Sequence, residues 1–445
     1  MPQFLDAFID QVSRKRDSLS RKMAFGRASE LDAGLERLLI ENWRPIPAPK
    51  GPDREVAAVD GSLAIRASPS GAIFYITRAL AVLGRRRFRE LEADAFFCKA
   101  KPLEIREFVA RKMEWLELRA AIKAIREGGL RDDAVLMDGS LYGRLLHFPR
   151  DQPAEGMRAF MLDYFKTFWE LLELCRERGI LLAGVSKESR SSFLRDHLLG
   201  LLLEEELGRL DGFPEGAKAE LKAIFETALQ DPFKAFSALR RLKRGLGDRL
   251  EGVERILREA ASARPDHQLI RRFAKAPGYT APLELGISKP GSVTMELIGR
   301  DPRAYARRYF REALLEAGDE EAFIRGAAEI LARILEFPSM ISFHLLPDPR
   351  DTPMRVDVPS WACGFEHRIS DLVGAKPIEA DVSGIASLLM GGYAGLKDYN
   401  VWLRRADEEV RLRRDVADGL YASALERILG ATIIQPRGYR RVKYP

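Results

Sequence analysis

Residues 56–62 read VAAVDGS, and residues 134–140 read AVLMDGS. In each, a short run of small or branched apolar residues, typical of a buried strand, is followed by an acidic residue and Gly-Ser, which favour a turn. The pattern predicts two buried strands that end at Asp60 and Asp138. Such strand ends hold carboxylates rigidly, while the turns leave space for a substrate.

The repeated Asp-Gly pair has two interpretations. Asp-Gly is a common turn signal, so each aspartate could simply cap its own loop. Because the pattern occurs twice on buried strands, we favour a paired-carboxylate site built on Asp60 and Asp138. Such a pair suits a divalent cation that polarises a phosphoryl group and lowers the pKa of a bound water. A glycosidase also uses two acids, but no aromatic platform for a sugar is evident.

Length and composition are those of a globular protein. A chain of 445 residues is long for one core, so two or more subdomains, or one domain with large insertions, are expected. The 46% apolar and 31% charged content is ordinary for a folded, soluble chain. The net charge of +6 is compatible with a nucleic-acid partner without requiring one.

The sequence also disfavours several classes of protein. The three cysteines, Cys98, Cys175 and Cys363, are far apart and odd in number, which argues against disulfides or a thiolate zinc site. The N-terminus has the wrong charge pattern for a secretion signal, and no apolar run approaches the ~18–20 residues of a membrane span, so we expect a cytoplasmic protein without membrane contact. Without metal-ligand spacing among the five histidines, a Walker loop or an HExxH motif, an ATPase or zinc protease is disfavoured.

The order of predicted strands and helices indicates an α/β fold with some parallel pairing. We divide the chain into an N-terminal helical arm (1–45), a first part of the core (50–199), a helical insertion (200–275), and a second part of the core with the C-terminal helix (276–445). The insertion is predicted because leucine and charged residues dominate there and strand-like runs disappear.

Three further elements are predicted in the second part of the core. Residues 339–346 and 354–358 have strand composition and are joined by a turn-rich link, which favours a hairpin. A final helix is expected over residues 397–428. After it we expect a strand at 432–434 and a basic tail at 437–443.

A third acidic candidate lies on a helix predicted over residues 103–127. Glu117 and Glu114 are three residues apart and therefore lie near one face of this helix. Because the helix leads directly into the second Asp-Gly-Ser strand, Glu117 could complete a metal site, with Glu114 as its competitor. A glutamate that faces solvent fits the pattern equally well.

Lys187 follows a predicted buried strand, within a segment that reads VSKESRSS. A lysine among hydroxyl groups and an arginine suits a phosphate group as a point-charge partner. The alternative is an ordinary helix start, which Ser189 or Ser191 would cap. Asp357 lies within a predicted strand and is a further candidate to face the site.

Taken in order, these segments resemble the NurA nuclease family. The resemblance runs from about residue 50 to the C-terminus, and residues 200–275 match poorly. It is carried by the order and spacing of several short segments: residues 59–62 (VDGS), Glu117, residues 137–141 (MDGSL), residues 185–189 (VSKES), residues 355–359 (RVDVP), and a C-terminal helix with Tyr399.

The resemblance implies an RNase H-like mixed-sheet nuclease core with a helical insertion. It implies a Mn²⁺-dependent deoxyribonuclease, with Mg²⁺ as the alternative metal, that acts as a 5′ to 3′ exonuclease and a single-strand endonuclease. It further implies a homodimer that works with a HerA-type hexameric ATPase in DNA end resection during double-strand break repair.

By position, the resemblance implies that Asp60, Glu117 and Asp138 are metal ligands, with Tyr399 near the site. The family usually has a histidine eight residues after this tyrosine, whereas this chain has Asp407. Aspartate can still bind the metal through oxygen but supplies no neutral imidazole. We therefore keep two functions open: a metal-dependent nuclease whose phosphate contact is Lys187, and a catalytically weak or inactive DNA-binding or translocase-docking subunit with the same fold.

Overall fold

The computed structural model describes residues 2–23, 30–46, 54–68, 70–210, 212–262, 264–413 and 416–430. The strands in these ranges are β1 (Trp43–Arg44), β2 (Val56–Ala67), β3 (Ile73–Leu83), β4 (Arg86–Phe96), β5 (Ala134–Asp138), β6 (Leu181–Ser186), β7 (Gly278–Thr280), β8 (Leu283–Leu285), β9 (Met340–Leu346), β10 (Met354–Pro359) and β11 (Ala375–Pro377).

The α-helices of the described ranges are α1 (Pro2–Arg14), α2 (Arg16–Met23), α3 (Asp32–Glu41), α4 (Pro102–Gly128), α5 (Leu141–Leu145), α6 (Phe160–Glu177), α7 (Phe193–Gly208), α8 (Glu215–Ala228), α9 (Pro232–Leu246), α10 (Glu251–Ala260), α11 (Asp266–Phe273), α12 (Lys289–Arg300), α13 (Pro302–Tyr309), α14 (Arg311–Glu316), α15 (Glu320–Ile334), α16 (Ser383–Gly391), α17 (Val401–Val410) and α18 (Ala422–Leu429).

The described strands form one mixed sheet in the order β1-β7-β9-β10-β6-β5-β2-β3-β4, with β8 paired to β9 and β11 paired to β8. Strands β2, β3 and β4 form an antiparallel meander. Strand β5 lies parallel to β2, and β6 lies parallel to β5. This is the strand arrangement of an RNase H-like core, so the predicted α/β fold with a mixed sheet is confirmed. The predicted hairpin is also confirmed, because β9 and β10 pair antiparallel.

The first apolar run is continuous because β2 is covered on both faces. Ala57 and Val59 point into the core formed with α4 and α6. Their neighbours Val56 and Ala58 point the other way, into a second core that includes residues of α16 and α17. Successive side chains of a strand alternate between its faces, so a strand buried on both sides needs apolar residues at every position.

Between β6 and β7 the chain forms the five consecutive helices α7 to α11. Their leucine-rich faces join the same core as α4 and α6. The division of the chain into four domains stays a prediction. No helix in the described ranges is long and apolar enough to cross a membrane.

The prediction of one continuous final helix over residues 397–428 is wrong. Helix α17 begins only at Val401, after Asn400 caps it by accepting a hydrogen bond from the Leu403 amide. It ends at Val410, and residues 411–413 are not helical. There the Leu412 amide bonds to the Ser62 hydroxyl at 2.8 Å, so it is not available to a helix. The strand and basic tail predicted at 432–434 and 437–443 lie outside the described residues.

Candidate active site

The two aspartates of the repeated motif lie side by side in the sheet. In the parallel register of β2 and β5, Val59 is opposite Met137, so the next residues in each strand, Asp60 and Asp138, are neighbours. Strand β5 ends at Asp138, as predicted, and Gly139 turns the chain with a φ of 99°.

Asp60 is not at a strand end, so that part of the prediction is wrong. Strand β2 continues to Ala67, because every residue from Ala57 to Ala67 is paired with β3. Asp60 therefore lies in mid-strand and is only 9% exposed. Burial, followed by the nearby charge of Asp138, raises its pKa to about 7.

The helix that carries the third acid is formed as predicted. Helix α4 has Pro102 in its first turn, and the Glu104 side chain accepts a hydrogen bond of 2.8 Å from the Lys101 amide. Gly129, with a φ of 70°, ends it. Pro at a helix start and Gly in the left-handed conformation just after its end are strong boundary signals.

Glu117 packs against β2 at Gly61, a residue without a side chain. A Cβ at Gly61 would come within 2.7 Å of Met113 Cγ and would also collide with the Glu117 carboxylate. Gly61 therefore allows α4 to approach β2 and brings the carboxylate next to Asp60. Glu117 is 2% exposed, so the solvent-facing alternative is wrong.

The Glu117 carboxylate is paired with a buried cation. It forms an ion pair with Arg144, which lies on α5 just after Asp138. Burial raises the pKa of Glu117 to about 8, the positive charge of Arg144 opposes this shift, and the charge of Asp60 adds to it.

Glu114, the competitor of Glu117, has other partners. It bonds to His147 Nε2 at 2.8 Å and accepts a hydrogen bond of 2.9 Å from the Tyr164 hydroxyl. Although burial alone would raise its pKa, the hydrogen bond to His147 is the main cause of a net lowering. Glu117, not Glu114, is the glutamate that lies against Gly61.

Lys187 follows β6 and reaches the second aspartate. Its Nζ lies 3.1 Å from Asp138 Oδ2 and 4.0 Å from the centre of the Tyr399 ring. The helix-cap alternative does not hold, because α7 begins after Ser192, and neither Ser189 nor Ser191 is its cap residue.

Tyr399 and Asp407 approach the two aspartates from the C-terminal segment. The buried Tyr399 hydroxyl forms no hydrogen bond of standard geometry within the described ranges. Burial, followed by the charges of Asp138, Asp60 and Asp407, raises the pKa of Tyr399. Asp407 lies on α17 and forms an ion pair of 2.5 Å with Arg411. Contrary to prediction, Tyr399 itself lies in the loop before α17.

The profile of the NurA domain matches residues 54–412, which is most of the chain. This protein belongs to the NurA family. A curated relative, the DNA double-strand break repair nuclease NurA of Pyrococcus furiosus, is 32% identical over 147 residues. That match covers 32% of each chain, so this chain spans about a third of the relative's length.

A solved NurA nuclease shares the fold of this chain along nearly its whole length. The NurA nuclease from Sulfolobus solfataricus matches with a TM-score of 0.55 and 14% identity, over 97% of this chain and 99% of that one. This likeness shows a shared fold. A NurA bound to dAMP and manganese matches with a TM-score of 0.42 and 16% identity, over 98% of each chain.

The candidate ligands of this NurA family member have the chemistry that a hard divalent cation requires. Asp60, Glu117, Asp138 and Asp407 all offer carboxylate oxygens, which Mg²⁺ and Mn²⁺ prefer. In their present arrangement, no three His, Cys, Asp or Glu side chains of the described residues form a group that could hold a metal ion. Within this arrangement, Arg144 pairs with Glu117 and Lys187 pairs with Asp138.

Sequence reasoning missed Arg144, Ser62 and the partners of Ser140. Arg144 is 4% exposed, yet it lies on a short helix whose other residues gave no functional signal. One signal was available, because an arginine six residues after a candidate ligand, within an apolar stretch, needs a buried anion as its partner. The roles of the two serines depend on contacts with distant segments, so local sequence carries no signal for them.

Proposed function

We propose that this protein is a metal-dependent deoxyribonuclease that hydrolyses phosphodiester bonds with Mn²⁺ or Mg²⁺. The observation that carries the proposal is the register of β2 and β5, in which Asp60 and Asp138 are adjacent. Glu117 lies against the same point of β2, and the charge of Asp407 acts on Asp60. The charges of Asp138 and Asp407 act on Asp60, and those of Asp60 and Asp138 act on Glu117. Because like charges repel and burial disfavours ionisation, a divalent cation would offset both costs.

In this proposal Asp60, Glu117, Asp138 and Asp407 hold the metal. A bound divalent cation supplies Lewis acidity and lowers the pKa of a water molecule. Lys187, which is 39% exposed at its side chain, binds a phosphate oxygen of the substrate as a point charge. The Tyr399 ring orients Lys187 through the cation–π contact of 4.0 Å.

We further propose that the substrate is DNA and that the protein acts in DNA end resection during double-strand break repair. Support comes from its membership of the NurA family and from the name of its Pyrococcus furiosus relative, a DNA double-strand break repair nuclease. The proposal includes 5′ to 3′ exonuclease and single-strand endonuclease activity, a homodimer, and a HerA-type hexameric ATPase as partner.

A second candidate function is a DNA-binding or translocase-docking subunit with weak or no catalysis. One observation favours it: arginine or lysine side chains already pair with three of the four carboxylates, namely Glu117, Asp138 and Asp407. A metal would have to share these carboxylates with their cationic partners or displace them, and Asp407 supplies no imidazole. DNA binding by the wild-type protein without cleavage in Mn²⁺ or Mg²⁺ would favour this function.

The test uses Asp60→Asn and Asp138→Asn on end-labelled single- and double-stranded DNA with Mn²⁺ or Mg²⁺. Removal of one ligand charge is expected to lower cleavage at least about a hundredfold, because metal stabilisation of the transition state amounts to several kcal/mol. The matched control is Asp94→Asn, an exposed aspartate on β4, which should cleave like wild type. Retained cleavage in either site variant, with the fold intact, would contradict the assignment.

A further inference from the structure

Helix α5 begins at Leu141, after the turn that follows Asp138, and directs one side chain back into the site. The Ser140 hydroxyl caps this helix by accepting a hydrogen bond of 2.8 Å from the Gly143 amide. One turn later, Arg144 Nη2 donates a hydrogen bond of 2.9 Å to the carbonyl oxygen of Asp138. The same nitrogen pairs with Glu117 Oε2.

Arg144 therefore joins the two elements that carry neighbouring candidate ligands. Glu117 comes from α4 and Asp138 from β5. Arg144 connects them, because its Nη2 bonds to the side chain of Glu117 and to the backbone carbonyl of Asp138. The arginine is 4% exposed and Glu117 is 2% exposed. A buried carboxylate needs a paired cation, and a planar guanidinium can bind two acceptors in fixed directions.

Helix α5 is itself fixed from behind by β10. Asp357, which is fully buried, accepts hydrogen bonds from the Ser140 hydroxyl at 2.6 Å and from the Tyr142 amide at 3.4 Å. Its other oxygen accepts from Ser342 Oγ at 2.8 Å and from Arg355 Nε at 2.9 Å. The start of α5 is thus tied to both strands of the β9–β10 hairpin, which limits the movement of Arg144.

We propose that Arg144 is a positioning residue that sets the Glu117 carboxylate relative to Asp138 so that both can bind one divalent cation. The proposal rests on the proposed metal-dependent function. Arg144 is too buried to touch a DNA strand, so it acts only through its two acceptors. Partners that orient metal ligands typically contribute 10- to 100-fold to metal affinity or activity, and Arg144 is expected to fall in this range.

The experiment measures Mn²⁺ binding to the full-length chain without DNA, by electron paramagnetic resonance of free Mn²⁺, in wild type, R144M and R144K. R144M should bind Mn²⁺ at least about tenfold more weakly. R144K should recover part of the affinity, because a lysine keeps the charge but carries it as a point charge on a flexible stem, whereas the planar guanidinium fixes the directions of both Nη2 hydrogen bonds. Circular dichroism and thermal melts check that each variant is folded.

The matched control is R195M. Arg195 on α7 is 3% exposed, forms an ion pair of 3.0 Å with Asp196 and donates to the Ser262 carbonyl, but it contacts none of the candidate ligands. R195M should lose stability while keeping wild-type Mn²⁺ affinity, which separates positioning from a general loss of buried ion pairing.

Wild-type affinity in folded R144M, or full affinity in R144K, would overturn the proposal, and so would tighter binding in R144M, which would identify Arg144 as a competitor of the metal. Should R144M fail to fold, the R144K result decides. Wild-type protein that binds Mn²⁺ but cleaves no DNA would overturn the proposed nuclease function, and the binding comparison would still decide the role of Arg144. Wild-type protein that binds no Mn²⁺ would overturn both.

Discussion

The Ser62 hydroxyl accepts a hydrogen bond of 2.8 Å from the backbone amide of Leu412, a residue 350 positions further along the chain. Ser62 is the serine of the first Asp-Gly-Ser segment, and Leu412 follows the helix that carries Asp407. The contact therefore ties the C-terminal segment to the strand of Asp60. The serine of the second segment, Ser140, makes the corresponding long-range contact with Asp357.

Ser62→Ala should loosen the end of α17 without unfolding the protein. Loss of one hydrogen bond is expected to lower the free energy of unfolding by about 1 kcal/mol. Amide hydrogen exchange should become faster around residues 405–413 and stay unchanged in β5. Ser237→Ala on α9 is the control, because the hydroxyl that it removes donates to the Phe233 carbonyl one turn earlier in the same helix. Unchanged amide hydrogen exchange around Leu412 would contradict the stabilising role of the Ser62 hydrogen bond.

Asp357→Ala should be strongly destabilising. It removes the acceptor of the hydrogen bonds from Ser140 and Ser342 and leaves the buried Arg355 without its counter-charge. Breaking a buried ion pair from one side costs about 3–5 kcal/mol, which urea denaturation would measure. The control Asp348→Ala breaks an exposed ion pair with Arg350, and stability should barely change. Equal effects of the two variants would contradict the role of Asp357.

Gly61→Ala should abolish cleavage by displacing Glu117. The added methyl group would collide with the Glu117 carboxylate and with Met113, so these side chains must shift from their positions against β2. DNA cleavage and Mn²⁺ binding are the measurements. Gly326→Ala is the control, because Gly326 in α15 has open space around its Cβ position and alanine should stabilise that helix by about 0.5–1 kcal/mol. Wild-type cleavage by Gly61→Ala would show that the close approach is not needed.

The contribution of Asp60 to the stability of the metal-free protein should fall as the pH rises. Asp60 has a pKa raised to about 7 from its ordinary value of 3.8, so the folded state binds its proton more tightly than the unfolded state does. The stability that this proton contributes is complete at low pH and is lost between about pH 4 and pH 7.

Thermal melts of wild type and Asp60→Asn across this pH range test the assignment. The variant should lose less stability with rising pH, because asparagine does not ionise, whereas Asp94→Asn should follow wild type. Addition of Mn²⁺ at pH 8 should stabilise wild type by mass action and should have less effect on Asp60→Asn. Parallel pH curves for wild type and Asp60→Asn would contradict the raised pKa.

Some of the site could be read from the sequence because it depends on local pattern. The two apolar runs that end in Asp-Gly-Ser predicted two neighbouring strands and the pairing of Asp60 with Asp138. The predicted end of β2 at Asp60 was wrong, because pairing with β3 continues through Gly61, and strand pairing overrides the turn preference of Asp-Gly.

The rest depends on contacts between residues far apart in the chain. Helix α17 ends at Val410, and the Leu412 amide then bonds to the Ser62 hydroxyl instead of to a helical carbonyl. No residue near Val410 signals this helix end in the sequence. Arg144 was missed for a similar reason, since its partner Glu117 lies 27 positions before it on another element. Local propensities cannot report such pairings, because tertiary contacts decide them.

The most direct test of the central claim is an anomalous diffraction map from crystals of the full-length protein soaked in Mn²⁺. We predict an anomalous peak coordinated by Asp60 and Asp138, with Glu117 and Asp407 as further ligands and Lys187 moved away from Asp138. A map with no peak at these carboxylates, with Lys187 still paired to Asp138, would contradict the account.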